Sequence, residues 1–252
     1  MKMKYVVFLL AVALMVAGLP MYASDTDDRI EASAKATYVF KTYLADDDIK
    51  VKSKDGHVTL SGTVLYESHL SLAEETVGNL PGVKSVDNKL DVKGGRPAEN
   101  SDAWIQMKVK TSLLFHRNVS GTGTEVDVKD GVVTLRGEAD DKAQKQLTGE
   151  YAKDIVGVRD VKNEMTVAKA PKAKQTMGEK IDDASITTQV KFALLTHTST
   201  HVMSTKVETQ NGVVTLYGKA TSGAEKDLVS KLVGDIKGVV EVRNKIVVEP
   251  SK

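Results

Sequence analysis

"DGHVTLSG" occupies Asp55–Gly62, and the same phrase returns as "DGVVTLRG" at Asp130–Gly137 and as "NGVVTLYG" at Asn211–Gly218. Each copy opens with Asp-Gly or Asn-Gly, dipeptides that favour a type I′ turn, because both central residues of that turn need a positive φ. The next four residues alternate in the way of a strand with one buried face. The octapeptide therefore predicts a hairpin turn and its returning strand, three times in one chain.

The glycines of the octapeptide do not indicate a phosphate-binding loop. Such a loop needs clustered glycines followed by Lys and Ser or Thr at the start of a helix. Here the two glycines lie six residues apart and bracket a strand. We therefore interpret the phrase as structural.

The octapeptide is the centre of a longer repeat, in which three glycines and one asparagine recur at relative positions 0, 6, 26 and 32. The repeated residues are Gly56, Gly62, Gly82 and Asn88; Gly131, Gly137, Gly157 and Asn163; and Gly212, Gly218, Gly238 and Asn244. Since no insertion separates them, each unit must be compact over this span.

The residues around the octapeptide predict the remaining elements of the unit. A strand precedes each turn at Ile49–Ser53, Val126–Val128 and Lys206–Thr209. A helix follows, with apolar stripes Leu72–Val77–Leu80, Leu147–Tyr151–Ile155 and Leu228–Leu232–Ile236. We expect the second glycine to let this helix approach the sheet and the third glycine to end the helix. A last strand carries Val86, Leu90 and Val92 in the first unit.

Another helix is predicted upstream of each hairpin, with the stripes Ile30–Ala34–Tyr38, Ile105–Val109–Leu113 and Ile186–Val190–Leu194. Asp28, Asp102 and Asp183 lie near its start, where a carboxylate can cap free amides. The unit is therefore α-β-β-α-β. The expected fold class is α+β, with three tandem two-layer domains, each a three-stranded mixed sheet with two helices on one face.

Residues 1–23 have the pattern of an export signal. Lys2 and Lys4 precede the apolar run Val6–Leu19, Pro20 breaks it, and Ala23 offers a small residue for cleavage. An uncleaved membrane anchor is the alternative. Because the chain has no cysteine, a lipid-modified N-terminus and disulfides are both excluded. The sequence therefore predicts a periplasmic protein that is not a lipoprotein.

Composition shifts mark the predicted domain boundaries. We place the domains at 24–93, 102–168 and 181–250, with a linker at 94–101 and a basic linker at 169–180. The basic linker contains Lys169, Lys172, Lys174 and Lys180 against the single acidic residue Glu179. Such a linker can add affinity near an anionic surface, or it can serve only as a soluble spacer.

The repeat resembles the BON domain, a small module of bacterial envelope proteins. The resemblance rests on the "DG-x-V-T-L-x-G" hairpin and on "G-V-x-x-V-x-N" before the last strand, seen in "GVKSVDN" (Gly82–Asn88), "GVRDVKN" (Gly157–Asn163) and "GVVEVRN" (Gly238–Asn244). It covers nearly all of the chain after residue 23. It implies attachment to membranes or envelope partners without chemistry, often under stress, with phospholipid as the usual proposed ligand.

Residue types with catalytic or metal-binding potential do not recur between the units. His197 and His201 have an i, i+4 spacing, yet β-branched residues surround them and no acidic partner is near in sequence. Asp46–Asp48 lacks the glycine and distal glutamate of a calcium loop. We therefore expect no catalytic site, metal, cofactor or small-molecule substrate. Without residues 1–23 the chain has 33 basic and 34 acidic residues, which disfavours nucleic acid as a partner.

Two sets of polar or amphipathic residues remain. Asn88, Asn163 and Asn244 stand in register with inward apolar neighbours, so each amide should find a nearby backbone partner. Trp104 is the only tryptophan, and its counterparts in the other units are Arg29 and Ser185. The face formed by Trp104, Met107, Lys108 and Thr111 is therefore expected to point outward and to bind lipid or a partner. Packing of Trp104 against a neighbouring domain is the alternative.

The sequence favours a non-enzymatic periplasmic adaptor, active in envelope or osmotic stress, that binds anionic phospholipid or proteins of the outer or inner membrane. A periplasmic holdase-like chaperone for exported chains is the alternative. The oligomeric state and the arrangement of the three domains stay open.

Overall fold

The structure is a computed structural model, and it describes residues 21–168, 180–200 and 205–249. The predicted export signal at 1–23 and the basic linker at 169–180 therefore lie almost wholly outside the described residues. His201 lies outside them as well. Among the residues within these ranges, no helix is long and apolar enough to cross a membrane.

The first domain begins with α1 (Met21–Ala36) and the short α2 (Tyr38–Thr42), followed by β1 (Asp48–Lys54), β2 (His57–Val64), α3 (Glu67–Gly78) and β3 (Ser85–Val92). β1 pairs antiparallel with β2, and Asp55 and Gly56 form the turn with φ of 55° and 79°. β3 pairs parallel with β2, which places Leu60 opposite Asn88. The predicted type I′ hairpin and the mixed three-stranded sheet are both present.

The other two domains repeat this order. The second comprises α4 (Asp102–Phe115), β4 (Thr124–Lys129), β5 (Val132–Ala139), α5 (Lys142–Lys153), β6 (Asp160–Asn163) and β7 (Thr166–Val167). The third comprises α6 (Asp183–Thr196), β8 (Lys206–Gln210), β9 (Val213–Tyr217), β10 (Lys219–Ala220), α7 (Gly223–Gly234), β11 (Glu241–Asn244) and β12 (Val247–Val248). The last strand is continuous in the first domain and interrupted in the others, between β6 and β7 and between β11 and β12.

The predicted apolar stripes of the helices form the cores, with two exceptions. Ile105, Val109 and Leu113 are all buried, as are their counterparts in α6. Leu228 is instead 40% exposed, because α7 turns Val229 and Val233 toward its sheet, about 100° round the helix from Leu228. The predicted first helix of domain one also breaks, because Thr37 caps α2 by accepting a hydrogen bond from the Phe40 amide.

The second and third repeated glycines are required for reasons other than those predicted. At Gly62 the φ is 120°, and an added Cβ would lie 1.9 Å from the carbonyl oxygen of Asp48 in the neighbouring strand. Strand geometry, not the approach of a helix, therefore requires this glycine. Gly82 does not end α3, which stops at Gly78 with Asn79 as its cap. It lies in the following turn against Ile30, where an added Cβ would approach the side chain to 3.5 Å.

The carboxylates predicted to cap the first helices have a different role. In the second domain Asp102 accepts hydrogen bonds from the amides of Asp130 and Gly131, at 2.8 and 2.9 Å, while Ser101 caps α4. In the first domain Asp27, not Asp28, accepts the corresponding hydrogen bonds from the amides of Asp55 and Gly56. Each of these carboxylates thus ties its helix to the hairpin turn.

The three domains pack around α6. Its buried residues lie on nearly every side of the helix: Ala184, Ser185, Ile186, Thr187, Thr188, Gln189, Val190, Ala193, Leu194 and Thr196. The first domain reaches α6 through hydrogen bonds from Thr76 to Thr188 and from Lys191 to Glu75. The apolar cores of the first and third domains form one continuous cluster, which Phe115 of the second domain joins.

Candidate functional site

The α4 face that the sequence singled out is covered. Trp104, Met107 and Thr111 are 7%, 8% and 7% exposed, and Lys108 is half-buried with its Nζ atom 4.2 Å above the Trp104 ring. Ser68 at the start of α3 donates from its amide to Met107 Sδ at 3.3 Å, and its Oγ lies 3.3 Å from Thr111 Oγ1. The expected exposure of this face is therefore wrong, because the first domain packs against it.

Burial also changes the electrostatics of this face. Removal from water lowers the pKa of Lys108, although the carboxylates of Glu67 and Glu99 act in the opposite direction. Trp104 belongs to the apolar cluster of the second domain. Binding of lipid or a partner at these four residues would require the first domain to leave α4.

The repeated asparagines hold the last strand against the second helix of each domain. Asn163 donates from Nδ2 to the Lys145 carbonyl at 2.7 Å and accepts at Oδ1 from the Met165 amide at 3.3 Å. Asn88 and Asn244 make the same pair of bonds, to Leu70 and Leu90 and to Lys226 and Ile246. Each side-chain amide is hydrogen-bonded to backbone, as the sequence predicted. The carbonyl that accepts from Nδ2 lies in the first part of the second helix of the domain.

The sequence reasoning missed the paired contact between the second and third domains. Counterparts in these domains lie 81 residues apart, and the contact repeats itself when the domains are exchanged. Arg117 donates its amide to the Asp235 carbonyl at 2.9 Å, and its counterpart Thr198 donates to the Asp154 carbonyl at 2.7 Å. Isolated antiparallel bridges join His116 to Ile236 and Ile155 to His197. The sequence did contain a signal for this contact, because His116 and His197 lie equally far before the turn glycines of their hairpins.

Carboxylates flank the histidines of this contact. Burial raises the pKa of Asp154, but hydrogen bonds from His197, Ser199 and Thr198 outweigh burial and hold it at about 2. Burial lowers the pKa of His116, while the neighbouring Asp235 acts to raise it. The described residues contain no group of three or more His, Asp or Glu side chains that could hold a metal ion.

A second feature missed by the sequence is a set of exposed apolar side chains at the ends of the parallel strands of the three domains. It consists of Leu65 and Tyr66 after β2, Val167 in β7, and Val247 and Val248 in β12. We call these five residues the strand-end surface. Val92, Val167 and Val248 occupy equivalent positions, opposite Val64, Ala139 and Ala220 respectively. The same end of every domain therefore presents apolar side chains.

A basic residue follows the last strand of the first and second domains in sequence, whereas Glu249 follows it in the third. Lys93 comes directly after β3, is exposed, and donates its amide to Val64. Lys169, the first residue of the basic linker, comes two residues after Val167. Apolar groups next to cations are the combination that suits the interface of an anionic membrane.

Comparison with known proteins extends these observations. The family model of the BON domain matches residues 26–94, 101–169 and 182–250. The chain is 30% identical over 186 residues to Osmotically-inducible protein Y of Escherichia coli, covering 73% of this chain and 87% of the relative. It is 30% identical over 145 residues to Outer membrane lipoprotein DolP of Haemophilus influenzae, covering 56% of this chain and 72% of the relative.

A solved structure of CdsD, a structural protein of the Type III secretion system of Chlamydia trachomatis, also aligns with this chain. The alignment has 16% identity and a TM-score of 0.25, and it covers 88% of this chain and 91% of the other. The three family matches fall on the three α-β-β-α-β units and together cover most of the sequence. The chain belongs to the BON domain family, with three BON domains in tandem.

Proposed function

We propose that this chain is a non-enzymatic periplasmic protein that binds phospholipid surfaces or envelope proteins under envelope or osmotic stress. The names of two relatives support this location and setting, since one is osmotically inducible and the other is an outer membrane lipoprotein. We expect export through the predicted signal, without lipid modification, because the chain has no cysteine.

One observation carries the non-enzymatic part of the proposal. Two sets of polar residues that recur in all three domains form hydrogen bonds within the fold. Asp27, Asp102 and Asp183 hold the hairpin amides, and the three asparagines hold the last strands. Residues common to the units therefore build a scaffold, and function falls to its surfaces.

The strand-end surface is the contact region that we propose. Tyr66 is 51% exposed and Val247 is 57% exposed, and large apolar side chains at such exposure favour an apolar partner. Tyr66 in addition has a polar hydroxyl, which suits the boundary between lipid headgroups and acyl chains. The lysines near the strand ends would add attraction to anionic headgroups, at about 1 kcal/mol each.

Co-sedimentation with vesicles tests this proposal. We expect the chain to bind phosphatidylglycerol-containing vesicles more than phosphatidylcholine vesicles, and binding should weaken with salt because the attraction is partly ionic. Replacing both Tyr66 and Val247 by Ser should reduce binding several-fold. Val240→Ser is the matched control, since Val240 is 79% exposed and donates its amide to the Gly212 carbonyl in the hairpin turn, at the opposite end of β9 from Val247.

Two results would contradict the assignment. Equal loss of binding in the Val240→Ser variant would show that any exposed apolar group suffices. Absence of vesicle binding, together with suppressed aggregation of an unfolded exported protein, would instead favour the holdase-like alternative.

A further inference from the structure

Two buried histidines meet at the centre of the contact between the second and third domains. His116 and His197 are counterparts in the repeat, and both are fully buried. Their Nε2 atoms lie 3.4 Å apart, and their rings stand perpendicular. Since each histidine belongs to a different domain, any charge on this pair acts directly on the contact.

The ends of α5 and α7, which pack around the pair, contribute ionisable side chains. From the end of α5, Asp154 Oδ2 lies 3.0 Å from His197 Nδ1, and the Tyr151 ring stacks on His116 at 3.8 Å. From the end of α7, Asp235 Oδ2 lies 3.3 Å from His116 Nδ1 and accepts from the Tyr151 hydroxyl at 2.5 Å. Two cations also lie near that end of α7: Lys237, whose Nζ donates to the Leu114 carbonyl, and Arg117, whose guanidinium donates to the Ile236 and Val239 carbonyls.

The hydrogen bonds fix how many protons the pair can hold. His197 donates from Nδ1 to Asp154, so its neutral Nε2 is an acceptor, toward which Ser112 Oγ also lies at 3.0 Å. A neutral His116 can then donate from Nε2, and its Nδ1 has no hydrogen-bond partner. One additional proton on that Nδ1 would point toward Asp235.

A second additional proton would be unfavourable in the closed contact, although Ser112 Oγ could accept its hydrogen bond. It would have to sit on His197 Nε2, where two N–H groups and two cations would face each other across 3.4 Å in a fully buried place. Two such groups titrate as a pair, because the charge on one disfavours the charge on the other.

We propose that His116 and His197 make the contact between the second and third domains a pH-sensitive joint, closed with at most one additional proton and opened when both imidazoles are charged. The joint is distinct from the strand-end surface, so it stands independently of the function proposed above.

The direction of the pH effect follows from proton linkage. Burial is the largest influence on His116 and lowers its pKa below the ordinary value of 6.5, and the charge on His197 acts in the same direction. A histidine with a lowered pKa binds protons more weakly in the closed state than in the open one. Closure is therefore strongest above pH 6.5 and weakens as the pH falls below that value.

The size of the effect can be bounded. At pH 5 an exposed histidine of pKa 6.5 gains about 30-fold in statistical weight from protonation, relative to one that must stay neutral. The closed joint excludes at least one such proton. The ratio of open to closed molecules should therefore rise about 30-fold or more between pH 8 and pH 5.

Distance measurement by pulsed electron paramagnetic resonance tests the joint. The natural chain has no cysteine, so spin labels can be placed at Lys129→Cys and Gln210→Cys, which are exposed and equivalent positions in the two domains. We expect one narrow distance distribution at pH 8 and a broad, longer one at pH 5. The double variant His116→Gln, His197→Gln should keep its pH 8 distribution at pH 5.

His57→Gln is the matched control, because His57 is an exposed histidine of the first domain and its loss should leave the opening unchanged. Identical wild-type distributions at pH 8 and pH 5 would overturn the proposal, as would opening of the double variant. If the double variant does not fold, titration of His116 in the wild-type chain by nuclear magnetic resonance decides. We expect His116 to titrate below its ordinary pKa of 6.5, and titration of His116 at or above 6.5 would refute the joint.

Discussion

Asn163 shows how one repeated side chain connects two elements. Its amide joins the carbonyl of Lys145 in the first turn of α5 to the amide of Met165 beyond β6. Gly149, one turn further along α5, provides the space for the Asn163 side chain, because an added Cβ would lie 2.9 Å from Asn163 Nδ2. The asparagine and the helical glycine thus form a matched pair within this domain.

Replacing Asn163 by Ala should lower the free energy of unfolding by about 1–3 kcal/mol, because both backbone partners lose their bond in a partly buried place. Urea unfolding of the full chain measures this. Lys162→Ala, at an exposed neighbour in the same strand, should change stability by less than about 0.5 kcal/mol. Equal stability of the Asn163→Ala variant and the natural chain would contradict the role given to the amide.

Residue roles were only partly predictable from the sequence. The asparagine pattern predicted a satisfied amide, because position 32 of the repeat alternates with inward apolar residues. The hairpin contact of Asp27, Asp102 and Asp183 was missed, although these three keep a constant distance from the turn glycine. A carboxylate near the start of a helix can bind either the free amides of that helix or the amides of the hairpin turn. Spacing along the chain does not distinguish these two possibilities.

At the scale of elements, local periodicity predicted the helices and strands, and it did so because each unit has its own core. The octapeptide predicted every hairpin, and the stripe Ile105–Val109–Leu113 predicted the buried face of α4. Trp104 was assigned to an exposed face because its counterparts Arg29 and Ser185 are polar. Packing between domains differs at each unit, so comparison of the repeats could not reveal it.

Trp104→Ala should therefore destabilise the chain and not merely weaken binding. Truncating a buried tryptophan costs about 3–5 kcal/mol, through lost apolar contact and the cavity that remains. Thermal unfolding should show a melting temperature lower by several degrees. Trp104→Phe retains an aromatic ring and should recover much of the loss. A melting temperature that does not change in Trp104→Ala would restore the surface role that the sequence suggested.

At the scale of the whole molecule, the three domains pack against one another and are not independent units. The second and third domains make a paired contact with approximate two-fold symmetry, and α3 of the first domain lies on both α4 and α6. Its two attachments are themselves counterparts, since Met107 bonds to Ser68 and Thr188 bonds to Thr76. A domain of this size has only marginal stability from its own core, and burial of α6 on nearly all sides explains how the neighbouring domains compensate.

This packing predicts that the described domains unfold together. Scanning calorimetry should give one transition at neutral pH, with equal calorimetric and van't Hoff enthalpies. Thr76→Asp should break this coupling, because Thr76 and Thr188 are 0% and 2% exposed and a carboxylate between α3 and α6 would be buried without a counter-ion. The variant should unfold in at least two steps, with the first domain separating first. Glu74→Asp, on the same helix at a position that bonds within its own domain, should retain the single transition. Separate transitions in the natural chain would mean that the interfaces contribute little, and that each domain is stable on its own core.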